Sequence, residues 1–388
     1  MIIGFYSTDW SSEPVPDPEH SQITGKQEFI PGKQALTFGG TFLQRGAMPA
    51  MELARHGYDT FLSWRMTDAP DGHFRMMDTD GNWRDPDMVW LQRHMAEGMD
   101  DAIRKARAAG QIVINDCDDQ FWALPKSNVA HDTTDPKANP KFNRDHYRKA
   151  IGASSAITVS TDAIRKELEP LGPPVYVLRN VIDLERWQPH DPGFGVPVVG
   201  WVGGVQWRAA DLLTLKSVLP DFLEDFGWTF YHGGDSQVPG VAKAWDQAGV
   251  NPAGPAGFLG LPRVMTAPLV HIAQYPKLWN PLSVVLVPLE RCRFNEAKSF
   301  LKSLEACACG LPYIVSDGLP EQRILIDEGS AGRIARNEKP VTWRRHLEEL
   351  LDPEVRRAEG KQNRAIAEKH DIHDRWVDWA RVYDSVSA

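Results

Sequence analysis

Cysteine is scarce in this chain: four in 388 residues, Cys117, Cys292, Cys307 and Cys309. They form no C-x-x-C pair and match no zinc spacing, so no structural zinc or disulfide framework is expected, and a reduced, cytoplasmic setting fits best. The first residues, MIIGFYSTDW, offer neither a basic stretch nor a long apolar one, so no signal peptide is expected. No run approaches the about 20 apolar residues that a membrane helix needs. The longest, such as 196–205, are of strand length and contain glycine. Positive charge is also short. Lys and Arg number 43 against 52 Asp and Glu, a formal net charge of −9, which argues against broad nucleic-acid binding. The basic stretches 141–149 and 323–345 read as solvated helix faces. No repeat with a period of roughly 20–50 residues is visible.

What is present is ordinary for a globular protein, with 42% hydrophobic and 24% charged residues. The length suggests two domains, each large enough for its own core. Fourteen tryptophans could face carbohydrate or fill cores, and burial behaviour favours cores.

Short β-rich runs alternate with helical patterns, the order that predicts parallel sheets with crossover helices. In the first half, strands are predicted over 1–6, 60–64, 87–91, 111–116, 156–160 and 175–178. Helices are predicted over 40–55, 96–109, 144–153 and 161–171. The stretches 10–38, 68–86 and 123–141 read as loops. Residues 187–197, with three prolines and two glycines, form the best linker. The second half repeats the logic, with strands at 198–202, 228–231, 284–288 and 312–316. Its helices are predicted at 209–226, 299–309 and from 343 onward, and residues 251–262 are Gly/Pro-rich. Two doubly wound domains in tandem would place ligands at the C-terminal ends of their strands, in the cleft between them. Dehydrogenases, periplasmic binding proteins and glycosyltransferases share that arrangement equally.

The chemistry concentrates in VVLVPLERCRFNEAKSFLKSLEACACGLPYIVSD, residues 284–317. A buried strand leads through a loop to a helix expected to start near Ala297 or Lys298. A helix N-terminus suits an anion such as a diphosphate, with Asn295, Lys298 and Ser299 beside it. Lys298, Lys302 and Glu305, spaced i, i+4, i+7, would share one face and present two ammonium groups and then a carboxylate able to accept from a ribose diol. The same spacing would also serve a surface helix with a Lys302–Glu305 pair.

This segment closely resembles the donor-binding motif of GT-B glycosyltransferases of the family 4 type (glycosyl transferases group 1), in the variant of bacterial and phage members. The resemblance implies an α/β fold of the GT-B kind, two Rossmann-like domains facing a cleft, and sugar transfer from a UDP- or GDP-linked donor. It implies that Glu305 binds the ribose and that Lys298 and Ser299 bind the phosphates. Gly310 would let the helix end tightly against the next strand. The family's second carboxylate would fall at Ala297, with Glu296 one residue out of register, so Asn295 or Glu296 is the candidate replacement. A retaining, metal-independent reaction is expected. VGWVGGVQWRAADLLTL, residues 199–215, resembles the strand, Gly turn and helix that open the donor domain. It puts Gly203 and Gly204 at the turn and Arg208 at the usual Lys position, while the usual Arg position holds Gly204. VYVLRNVIDLERWQP, residues 175–189, resembles the end of the first domain, with Asn180 and Asp183 at the hinge. GGTFLQRGAMPAMELARHGYDTFLSW, residues 39–64, resembles the first Gly-rich loop, with Gly39 and Gly40 near the donor phosphates or transferred sugar.

The expected organisation is an acceptor domain over 1–186, a linker over 187–197, a donor domain over 198–365, and a terminal helical segment, 366–388, crossing back to the first domain. The acidic cluster INDCDDQFW offers Asp116, Asp118 and Asp119 as catalytic candidates. They could serve acceptor binding or base catalysis, a metal site, or structural pairing at a strand end. The acceptor stays open among a saccharide, a lipid-linked sugar, a protein and a modified DNA base. A nucleotide-binding module that has lost activity, and an epimerase or phosphorylase on the same fold, are the alternatives.

Overall fold

The computed structural model describes residues 1–17, 28–128, 130–204, 209–235, 261 and 263–388. Two sheets organise it. The first contains β1 (Ile2–Ser7), β4 (Asp59–Asp68), β5 (Phe74–Asp78), β6 (Trp83–Arg84), β7 (Met88–Gln92), β8 (Ile112–Cys117), β9 (Ala156–Val159) and β10 (Val175–Val177), in the order β10-β9-β8-β7-β1-β4-β5-β6. From β10 to β4 all pairings are parallel, and β5 and β6 continue the edge antiparallel. A separate antiparallel ribbon joins β2 (Trp10–Asp17) to β3 (Glu28–Phe38). The second sheet is wholly parallel: β11 (Val198–Val202), β12 (Thr229–Asp235), β13 (Val264–Pro268), β14 (Val284–Val287), β15 (Tyr313–Ser316) and β16 (Arg333–Ala335), in the order β13-β12-β11-β14-β15-β16. A strand in the middle of such a sheet, flanked by helices on both faces, can read as an unbroken apolar run, as β14 does: all four of its residues are apolar and buried.

Several expectations need correction. The stretch 10–38 is not a plain loop, since β2 and β3 flank its centre. Pro14, Pro16 and Pro31 are tolerated because a two-stranded ribbon is all edge, and the register shifts between Pro14 and Pro16. Within 68–86, β5 and β6 form a hairpin extension. Their signal was a short alternation, with Phe74 and Met76 inward, hidden among turn residues. The single helix expected over 209–226 is two, Ala209–Leu213 and Leu219–Phe226, and Pro220 sits in the first turn of the second, where its missing N–H costs nothing. Most of the Gly/Pro-rich stretch 251–262 lies outside the described residues.

In both sheets the strand order reverses beside the first strand, between β1 and β7 and between β11 and β14. Such switch points open a crevice at the carboxyl ends of their strands. The last helix, Ile372–Ser387, packs on the first sheet: Trp379 and Tyr383 are buried in one core with Phe5 and Trp90, and Trp376 stacks on His56 at 3.8 Å between ring centroids. Gly310, at φ +69°, closes the helix Leu301–Ala308, and Gly360 of the helix Pro353–Glu368 lies so close that an added Cβ would stand 2.1 Å from the Gly310 carbonyl oxygen. No helix among the described residues is long and apolar enough to cross a membrane.

Candidate functional site

The two switch points face one cleft of about 750 Å³, a size that holds a small-molecule ligand. Thr8 and Asp9 follow β1, Arg93 follows β7, Gly203 and Gly204 follow β11, and Pro288 and Leu289 follow β14; all line it. Of the residues singled out from the sequence, Gly39, Gly40, Asp118, Asp119, Gly203 and Gly204 are in its wall. So are Lys298, Ser299, Lys302 and Glu305. Arg208 lies outside the described residues.

The donor segment departs from a single long helix. A four-residue helix, Arg293–Glu296, is followed by an irregular stretch before the helix Leu301–Ala308 begins. Lys298 and Ser299 therefore precede the helix, and only Lys302 and Glu305 share its face. Asn295 is buried, and its amide donates to Asp211 Oδ1 at 2.8 Å and to the Glu290 carbonyl at 3.0 Å. It fastens the loop to the helix Ala209–Leu213 instead of facing the cleft. Glu296 is exposed and does not line the cleft, so neither residue stands where a replacement second carboxylate was expected.

Glu305 is buried at the C-terminal wall. Tyr275 Oη donates to its Oε2 at 3.1 Å and Lys302 Nζ donates to the same oxygen at 2.9 Å, which leaves Oε1 to accept from the cleft. Burial raises the carboxyl's pKa, and Lys302 pulls it back down. The Tyr275 phenol is pushed well above its usual range by burial and then by Glu305, so it keeps its proton and acts as a donor. Tyr275 also contacts the Lys302 ammonium, which lies 5.0 Å above the Tyr275 ring. Ser299 Oγ accepts from Asn180 Nδ2 at 2.8 Å, and the Ser299 carbonyl accepts from Gln322 Nε2 at 2.8 Å.

The three carboxylates of the acidic cluster are each matched by a different cation. Asp116 is buried and does not line the cleft; Arg45 Nη2 and Nε donate to its two oxygens at 2.6 and 3.1 Å, and Thr158 adds a third bond at 2.7 Å. That placement corrects its candidacy as a catalytic group, because a carboxylate sealed against a guanidinium reaches no acceptor. Asp118 is forked by Arg93, whose Nη2 also reaches Thr41 at 3.1 Å. Arg93 holds φ +56°, the only positive φ among the described non-glycine residues, a strained conformation of the kind that clusters at functional sites. Asp119 receives Lys298 Nζ at 2.8 Å on both oxygens, so the expected phosphate lysine reaches across the cleft to the first sheet. Asp9 rests against Gly39: a Cβ there would fall 2.2 Å from its Oδ2, so a larger residue would displace the Asp9 carboxylate.

No family model matches this sequence, and no curated protein matches it. Its backbone, by contrast, matches solved structures over its whole length. Sucrose-phosphate synthase from Thermosynechococcus elongatus is similar at a TM-score of 0.63 and 12% identity, covering 100% of this chain and 99% of that one. HepE from Anabaena, in complex with UDP and glucose, is similar at 0.58 and 12% identity, with 99% and 100% covered. The lipopolysaccharide outer core galactosyltransferase WaaB, in its apo form, is similar at 0.54 and 14% identity, with 99% of each chain covered. The fold is GT-B.

In this GT-B chain, sequence reasoning missed Arg45, Arg93, Arg186 and Tyr275, all of which line the cleft. Arg45 lies in a π-helical turn, Leu43–Ala47, inside the first helix, and such turns re-aim side chains in a way that no 3.6-residue pattern predicts. Tyr275 is in the 3-10 segment Ile272–Trp279, interrupted by Pro276, where neither periodicity appears.

His232 on β12 gives a pH prediction. It is buried, its Nε2–H donates to the Gly203 carbonyl at 2.9 Å, and burial pushes its pKa down to about 4. The unfolded chain takes up that proton near pH 6.5 and the folded chain resists, so stability is whole above about pH 6.5 and falls by roughly 3 kcal/mol as pH drops to 4. In urea titrations across this window, His232→Gln is expected to show a shallower loss than the parent chain. An unchanged slope would count against the assignment.

Proposed function

We propose that this chain is a glycosyltransferase that moves a sugar from a UDP- or GDP-linked donor to an acceptor hydroxyl, without a metal and with retention at the anomeric carbon. The observation that carries the reading is the convergence at one switch-point cleft of a buried carboxylate with one oxygen left for a diol, Glu305, and of Lys298 and Ser299. The GT-B fold, shared with proteins that include UDP-bound HepE, supports it. In this reading residues 198–365 hold the donor and 1–186 the acceptor, with 187–197 as linker and 366–388 returning to the acceptor side. Lys298 stabilises the charge that develops on the departing nucleoside diphosphate. Asp116 and Asp118 stay paired with Arg45 and Arg93; in this reading the leaving phosphate oxygen takes the acceptor proton as its bond to the anomeric carbon breaks and the new glycosidic bond forms on the same face.

Thermal unfolding with UDP, GDP, ADP and TDP tests the donor site. One of UDP and GDP is expected to raise the midpoint by several degrees, as a ligand that binds only the folded state must. Glu305→Ala is expected to abolish the rise. If none of the four stabilises the parent chain, the donor site is wrong. If a nucleotide binds but no sugar nucleotide is turned over, the chain is a binding module.

A further inference from the structure

The cleft-lining cations among the described residues are Arg45, Arg93, Arg186, Lys298 and Lys302. Four have carboxylate partners of their own: Asp116, Asp118, Asp119 and Glu305 respectively. Arg186 is different. Its hydrogen bond runs from Nη2 to the Ile272 carbonyl at 2.8 Å, and the charges that act on it, Asp183 and Glu305, do so without forming an ion pair. Two guanidinium nitrogens therefore remain available, beside the carboxylate assigned to the ribose.

The backbone around Arg186 is fixed. Its amide donates to the Asp183 carbonyl at 3.1 Å, and the next residue, Trp187, is buried edge-on against Tyr275 and Trp279 at 5.9 and 5.7 Å. The segment joining the two sheets thus holds a half-buried guanidinium over the cleft with its charge uncancelled. In a nucleoside diphosphate the phosphates follow directly on the ribose. An anion anchored by its ribose at Glu305 would bring its phosphate oxygens towards this group, and a planar guanidinium can donate to two of them at once.

We propose that Arg186 is a binding residue for the diphosphate of the nucleotide donor, supplying the positive charge that the second sheet lacks at Gly204. This rests on the donor reading above. Lys302 cannot fill the gap while it neutralises Glu305, and Lys298 must first leave Asp119.

Calorimetric titration with UDP, UMP and uridine tests it (or with the guanine series, if GDP is what stabilises the parent chain). Arg186→Gln removes the charge and leaves a shorter, neutral amide. It is expected to bind UDP about 30-fold more weakly, UMP less affected and uridine unaffected. Arg186→Lys, which restores the charge, should recover most of the loss. UDP binding by the Gln variant at parental strength overturns the proposal. So does an equal weakening of uridine and UDP, which would mean that Arg186 only supports the segment carrying Tyr275. A parent chain that binds none of these nucleotides overturns the donor reading instead, so the two failures are distinct.

Discussion

Replacing Lys298 by alanine is expected to lower turnover by about 1,000-fold while the fold stays intact, the loss typical of removing one preorganised group from a developing oxyanion. Lys298 stands in the irregular stretch before the helix Leu301–Ala308, its ammonium 4.2 Å above the Phe294 ring and 2.8 Å from both oxygens of Asp119. That carboxylate sits on the ammonium where a donor diphosphate would have to sit. Donor binding is therefore an exchange of one anion for another, and Asp119 competes with it. Asp119→Asn should consequently bind the nucleotide diphosphate about 5-fold more tightly, the effect of removing a partly exposed ion pair. The two variants pull in opposite directions only if Lys298 serves both partners. Circular dichroism checks the fold, saturating-donor kinetics gives turnover, and titration gives affinity. Parental turnover in Lys298→Ala, or weaker nucleotide binding in Asp119→Asn, would contradict this account.

The largest effect on stability is expected at Arg45. Arg45 and Asp116 are each 1% exposed, and the guanidinium also donates to the Leu178 carbonyl and, at 3.3 Å, to Asn180 Oδ1. Arg45→Met removes one member of a buried pair and strands the other, which costs about 3–5 kcal/mol. For a folding unit of about 150–250 residues that corresponds to a drop of roughly 10 °C in the unfolding midpoint. Adding Asp116→Val should return much of the loss, because two apolar groups leave no charge to bury. A double variant no more stable than Arg45→Met would argue against the pair as the cause. Asn180 links the same guanidinium to Ser299, so Arg45→Met should also weaken nucleotide binding, through the loss of a fixed partner for that hydroxyl.

The acidic cluster shows how a short motif can mislead. Asp116, Asp118 and Asp119 are neighbours in sequence at the end of one strand, which made them equal candidates. In the fold they go to three cations from three places: Arg45 in the first helix, Arg93 after β7, and Lys298 on the opposite wall. Nothing local in INDCDDQFW could separate them, because a carboxylate's role is set by what faces it.

Sequence alone determined the alternation of strands and helices, the strand Val198–Val202 and the helix Arg144–Ala153, because each depends on local periodicity or caps, while the Gly310 turn came from the family resemblance. It also singled out Glu305, which the structure places in the wall of the cleft. Only the tertiary structure decided that Lys298 stands ahead of its helix and reaches Asp119. The same holds for the burial of Asp116 and for the approach of Arg186, from the segment joining the sheets, to the Glu305 end of the cleft. Those assignments are ion pairs between residues 119 and 298 and between 45 and 116, and a hydrogen bond from residue 186 to the carbonyl of 272; contacts across such separations are set by packing and burial, which no local pattern encodes.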